Sequence, residues 1–167
     1  MNEADALRAA ALLESVGLRP VARARDASLL LLNTCVVRQQ AEDKVYGRLR
    51  HVAELKRHNP DCVVALMGCL VGRIPQEHAA LREQFPDVDL FLPPSDLGPL
   101  QQFLREQGEG ALPAIAAEGC LPPPLPNSHT GRTVVAHVPV VLGCSHACTY
   151  CVIPYRRGGE QSRPSTE

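Results

Sequence analysis

The chain has 167 residues, 45% of them hydrophobic and 21% charged, with a formal net charge of −1. This is the composition of a globular chain long enough for one domain and part of another. The near-neutral balance gives no overall electrostatic footprint for nucleic acid, and no apolar run approaches the ~20 residues that span a bilayer.

The opening stretch, MNEADALRAA, places no basic region ahead of an apolar one, so it does not read as a secretory signal and a cytoplasmic location is the default. Asn2 is expected to cap a first helix, with Glu3 and Asp5 in its first turn. Ala6, Ala9, Ala10, Leu13 and Val16 recur at helical spacing, and Gly17 closes the helix ahead of Pro20. Residues 28–32 are wholly apolar after Ser28, which suits a strand buried on both faces, with Asn33-Thr34-Cys35 at its C-terminal end. Val37, Ala41, Val45, Leu49 and Val52 stripe a long helix that Asn59-Pro60 stops. A second buried strand, 62–67, ends at Gly68-Cys69. A helix from about Ile74 carries Leu81 and Phe85 and stops at Pro86. Residues 88–92 form a third strand. Ser95 is expected to cap a last helix with Leu97, Leu100, Phe103 and Leu104, closed by Gly108.

The alternation implies an α/β fold, a flavodoxin-like open parallel sheet over residues 1–108. Such a unit normally begins on a strand, so a first strand is expected upstream of Met1. Residues 109–131, with Pro113, Pro122, Pro123, Pro124 and Pro126, read as a linker. Residues 133–142 read as the first strand of a second unit, 132–167, which is too short to close as a domain. With aromatics at 4% and no tryptophan, the core is built from Leu, Val and Ala.

Seven cysteines remain to be explained. The odd count and the absence of a secretory signal argue against a disulfide framework and for cluster or metal ligation. Cys35 and Cys69 each fall just past the C-terminal end of a parallel strand, the edge at which ligands bind in open α/β sheets. Together they supply two corners of a cluster site. Taken singly, each is more often a small buried hydrophobe. Cys62 starts a strand among core residues and reads as core, and Cys120 lies in the linker. Cys144, Cys148 and Cys151 are spaced C-x3-C-x2-C after the apolar run 134–142. Three thiolates this close can hold three irons of a cube and leave the fourth iron open. A zinc site would need His146 or His137 as its fourth ligand, and His146 sits between the cysteines, poorly placed for the same ion. No glycine-rich phosphate loop opens a helix, which argues against a flavin or nucleotide protein. Arg156, Arg157 and Arg163 form a small basic cluster, read as a solvated face or a contact for substrate phosphates.

At this point the residues become familiar. Cys144, Cys148, Tyr150 and Cys151 resemble the signature of the radical S-adenosylmethionine superfamily. Asn33-Thr34-Cys35-Val36-Val37-Arg38, Ala41-Glu42, Lys44-Val45, Gly68-Cys69, the VIPYRRG run and Ser162-Arg163-Pro164 are similar to methylthiotransferases, in particular the MiaB-type tRNA-directed subgroup. The resemblance implies two [4Fe–4S] clusters. One would be held by Cys144, Cys148 and Cys151, with S-adenosylmethionine on its open iron and Tyr150 near the adenine. An auxiliary cluster would be held by Cys35, Cys69 and one further cysteine. It implies a tRNA substrate, with a methylthio group added to N6-dimethylallyladenosine next to the anticodon, an electron donor such as flavodoxin or ferredoxin, and a monomeric enzyme. Residues 132–167 would begin a TIM-like barrel. The family's amino-terminal motif reads Gly-Cys-Gln-Met-Asn, and this chain starts at its Met-Asn. The third auxiliary ligand is therefore expected ahead of Met1, and the chain alone is expected neither to hold an intact auxiliary cluster nor to modify tRNA. A structural or electron-transfer iron–sulfur or zinc module is the alternative.

Overall fold

The computed structural model describes residues 2–37, 39–107 and 140–162, the side chains of Asn2 and Pro75 aside. Three strands, β1 (Leu29–Thr34), β2 (Val63–Gly68) and β3 (Leu90–Leu92), form one sheet in the order β1-β2-β3. Both pairings are parallel. Helices α1 (Asn2–Ser15), α2 (Gln39–His58), α3 (Pro75–Gln84) and α4 (Gly98–Glu106) alternate with the strands. This is the α/β architecture that the alternation of apolar patterns implies.

The sheet is covered on both faces. Successive residues of a strand point to opposite sides, and β2 uses that alternation fully. Val64 and Leu66 join Leu49 and Val52 of α2, Leu81 of α3 and Phe91 in one core. Ala65 and Met67 join Ala9 and Leu12 of α1, Leu92, and Leu100 and Leu104 of α4 in the other. Strand β1 also divides its leucines, Leu30 and Leu32 to the first core and Leu29 and Leu31 to the second. These leucines are half-buried rather than fully buried, because among the described residues β1 pairs on one side only.

Most helix boundaries follow local chemistry. Gly17 has φ +92, and the Leu18 N–H reaches back to the Leu13 carbonyl, the closure a left-handed C′ glycine permits. Pro75 opens α3, where its missing N–H costs nothing. Three expectations need correction. Val37 does not belong to the stripe of α2, which begins at Gln39, and it is exposed ahead of the helix. Helix α1 begins at Asn2 itself rather than after it. Ser95 does not cap α4: Leu97 is the N-cap residue, the Gly98 N–H donates to Asp96 Oδ1, and Ser95 takes a left-handed φ of 63° with its hydroxyl aimed at Asp5 instead. An aspartate one residue nearer the helix start satisfies the exposed N–H, which leaves the serine for a buried contact.

The carboxy-terminal described segment adds a two-stranded antiparallel ribbon, β4 (Val141–Leu142) with β5 (Gln161–Ser162), and a short helix α5 (Ile153–Arg157) between them. The linker 109–131, Gly108, Cys120, His137, Arg163 and most of the apolar run 134–142 lie outside the described residues. Among the described residues, no helix is long and apolar enough to cross a membrane.

Candidate functional site

The parallel register sets Thr34 beside Gly68, so the residues that follow them, Cys35 and Cys69, leave the sheet at one edge. Three hydrogen bonds stitch these strand ends together. Thr34 Oγ1 donates to the Met67 carbonyl at 2.7 Å and accepts from the Leu70 N–H at 3.2 Å. The Cys69 N–H donates to the Thr34 carbonyl at 3.3 Å. Gly68 has φ +106, and a Cβ there would lie 2.5 Å from the Thr34 carbonyl oxygen. Only glycine allows the two ends to approach this closely.

Cys69 is 2% exposed and Cys35 half-buried. Cys69 is not alone in its pocket. Arg157, at the end of α5, inserts its guanidinium at the sheet edge and is itself 5% exposed. Its Nε donates to Cys69 Sγ at 3.3 Å, and Nη1 donates to Asp5 Oδ2 at 3.2 Å and to Ser95 Oγ at 3.3 Å. The Ser95 hydroxyl in turn donates to Asp5 Oδ1 at 2.9 Å. Burial works against the charge of Arg157, but Cys69 and Asp5 beside it outweigh that, and the guanidinium's pKa lies above its ordinary value. Arg156 pairs with Glu77 of α3, and Arg73 Nη1 donates to the Arg157 carbonyl at 3.3 Å.

The loop 143–152 leads into α5. Gly143 has φ +73, and a Cβ on it would meet the Gly159 carbonyl oxygen at 2.2 Å. The Cys144 N–H donates to the Gly158 carbonyl and the Cys151 N–H to the Cys148 carbonyl, both at 3.1 Å. Between these ties the loop is open. Cys148 and His146 are exposed, Cys144 and Cys151 half-buried, and Tyr150 is 90% exposed.

The structure thus brings Cys35 and Cys69 to one edge and keeps Cys144, Cys148 and Cys151 on one short loop. All five are free thiols, chemistry that fits cluster ligation. Among the described residues, no three His, Cys, Asp or Glu side chains converge as a ready metal-binding group. Cys62 is buried in the core, as its sequence position implies. Its thiol is pushed up by burial and Asp89, with Lys56 pulling the other way. The solvated basic cluster expected from Arg156 and Arg157 is not found: one is buried against Asp5 and the other ion-paired with Glu77. Sequence reasoning missed Asp5, Ser95 and Thr34 as parts of the site. Asp5 looked like a dipole partner at a helix start, and no local signal marks its contact with residue 157.

Comparison with known proteins bears on the same residues. A family model described as Uncharacterized protein family UPF0004 matches residues 1–93. The chain is 41% identical over 166 residues to the tRNA-2-methylthio-N(6)-dimethylallyladenosine synthase of Moorella thermoacetica, covering 98% of this chain and 37% of that relative. It is 35% identical over 173 residues to the protein of that name from Dictyoglomus thermophilum, covering 100% of this chain and 38% of the relative. It is 41% identical over 172 residues to the protein of that name from Pseudomonas fluorescens, covering 98% and 37%. The chain therefore spans little more than a third of the length of these relatives.

Proposed function

We propose a function from the premise that this chain belongs to the UPF0004 family: it serves a tRNA methylthiotransferase that places a methylthio group on N6-dimethylallyladenosine next to the anticodon. The observation that carries the reading is the sheet edge. Two parallel strands end in register on Cys35 and Cys69, and the helix that follows the C-x3-C-x2-C loop packs its last side chain against Cys69. Relatives that carry the synthase name match this chain along nearly its whole length.

In this reading residues 1–108 are an amino-terminal methylthiotransferase domain, 109–131 a linker, and 132–167 the start of a radical S-adenosylmethionine core. Cys144, Cys148 and Cys151 hold one [4Fe–4S] cluster. Cys35 and Cys69, with one further ligand, hold a second. When bound, these groups supply the one-electron reduction of S-adenosylmethionine and the sulfur to be transferred. The chain's own residues bind and orient. Thr34 and Gly68 fix the spacing of the two strand ends, and Arg157 places a cationic donor on Cys69. Tyr150, open to solvent beside Cys151, offers a face for the adenine. The partners are tRNA and an electron donor of the flavodoxin or ferredoxin kind, and the working enzyme is a cytoplasmic monomer.

Anaerobic reconstitution with iron and sulfide tests this. The protein should turn brown with absorption near about 400 nm, and replacing Cys144, Cys148 and Cys151 by alanine should remove most of the iron, because Cys35 and Cys69 supply only two ligands of the second cluster. Mass spectrometry of tRNA digests should show no methylthio product from this chain alone, since it supplies only part of the auxiliary ligand set. A colourless protein that loads zinc in place of iron would sink the reading in favour of a structural metal module.

A further inference from the structure

Arg157 is where the two cysteine-bearing parts of the chain meet through buried charge. It closes α5, the helix after Cys151, yet its guanidinium belongs to the sheet edge. The groups around it come from three separate places: Cys69 after β2, Asp5 on α1, and Ser95 between β3 and α4. Ser95 holds a left-handed backbone conformation while contacting Asp5, so the acceptors are themselves held. The α5 backbone is tied down as well, by Arg73 on the Arg157 carbonyl and by Glu77 on Arg156. A guanidinium is planar, and its donors point in fixed directions relative to one another. With Nη1 committed to Asp5 and Ser95, the direction of Nε toward Cys69 Sγ is set.

We propose that Arg157 is the positioning residue of the Cys69 site, a role that rests on the reading of Cys69 as a cluster ligand. It fixes the direction of the Cys69 sulfur. It supplies that sulfur with a charged hydrogen-bond donor when iron is bound. It also holds α5, and so the exit of the cysteine loop, at one place on the sheet edge. A donor on a ligand sulfur draws electron density from it and raises the reduction potential of the cluster. The auxiliary cluster is therefore easier to reduce than it would be on the same ligands without Arg157.

The test compares Arg157→Gln and Arg157→Lys with the parent protein in two measurements. In iron-free protein, iodoacetamide labelling of Cys69 is followed by mass spectrometry, with Cys148 as internal reference. In protein extended by a segment that supplies the third auxiliary ligand and then reconstituted, the midpoint potential is measured for the cluster that disappears in Cys69→Ala. Arg157→Gln should label Cys69 about tenfold faster relative to Cys148, because the covering side chain is gone. It should also lower the midpoint potential, with Arg157→Lys between it and the parent. Unchanged labelling and potential in a folded Arg157→Gln protein would overturn the proposal. If circular dichroism shows Arg157→Gln unfolded, Arg157→Lys decides by the same two readouts, and no change in either overturns it. Iron content unaffected by Cys69→Ala in the extended protein overturns the cluster reading instead, and the labelling contrast then decides the Arg157 contact alone.

Discussion

At the sheet edge, Cys69 is 2% exposed, its N–H is bonded to Thr34, and its sulfur is covered by Arg157. In the loop that leads to α5, Cys148 is exposed and Tyr150 beside it is 90% exposed. Both regions carry cysteines of the same proposed chemistry, and the fold treats them in opposite ways. The edge inherits its geometry from parallel strand register and two hydrophobic cores, so its thiols are placed before any ligand arrives. The loop is tied at its ends, by Gly143 against Gly158 and Gly159 and by α5 against the sheet, and its middle is exposed. One fold thus holds a buried, closely bonded edge and an open loop side by side, with Arg157 joining them.

Removing the carboxylate of Asp5 is the strongest way to break that arrangement. Asp5→Ala leaves the guanidinium of Arg157 buried without its anionic partner, a defect that costs about 3–5 kcal/mol when one member of a buried pair is deleted. Urea unfolding followed by circular dichroism should show a loss of that size, and α5 should become open to proteolysis. A loss under about 1 kcal/mol, the behaviour of a surface ion pair, would mean the edge is not the closely bonded region described.

Two glycines put the contrast more sharply. Gly68→Ala forces a Cβ against the Thr34 carbonyl at positive φ, at the centre of the stitched strand ends. Strained backbone of this kind costs about 1–3 kcal/mol. Gly143→Ala meets carbonyl oxygens even closer, but just past β4 at the base of the ribbon, away from both cores. It carries the same kind of strain, about 1–3 kcal/mol, but the strain falls on the ribbon and displaces the loop cysteines while leaving the strand ends at Cys69 undisturbed. Faster iodoacetamide labelling of Cys69 in Gly143→Ala, or unchanged labelling of Cys69 in Gly68→Ala, would erase the distinction between the regions. Thr34→Val follows, since it strips the Met67 carbonyl and the Leu70 N–H of a buried partner at about 1–3 kcal/mol.

The sheet was legible in the sequence because its information is local. Short apolar runs bounded by turn residues gave three strands to within one or two positions, and parallel alternation put Cys35 and Cys69 at one edge. Arg157 was not legible for the converse reason. Its partner Asp5 lies 152 positions away, and periodicity carries no record of a contact at that range. A pair of arginines after Pro154-Tyr155 therefore looked like solvated charge. Ser95 was misread on a narrower point. A serine ahead of an apolar periodic stretch fits a cap, but Asp96 stands nearer the Gly98 N–H and takes it. The loop was legible as chemistry, from cysteine spacing, but not as shape, since its middle has few contacts to leave a pattern.

The mildest probe leaves the sites intact and compares a core thiol with a loop thiol. Cys62 is 3% exposed at the start of β2, so a reagent reaches it only through local opening, whereas Cys148 faces solvent. Labelling with iodoacetamide at mildly alkaline pH should be roughly a hundredfold slower at Cys62. The same burial holds the Cys62 proton more tightly in the folded chain than in the unfolded one. Above the ordinary thiol range the folded state therefore binds more protons at this site, and stability falls as pH rises, with a slope of at most about 1.4 kcal/mol per pH unit from one group. Below that range Cys62 contributes its full share, and pH has no effect through it. Tyr46, raised chiefly by burial and then by Glu42, adds a second loss at higher pH. In Cys62→Ala the first of these losses should vanish and the second remain, as read from chemical unfolding across the alkaline range. An unaltered pH profile would place Cys62 in the same solvent as Cys148, and the division between a closed core and an open loop would not hold.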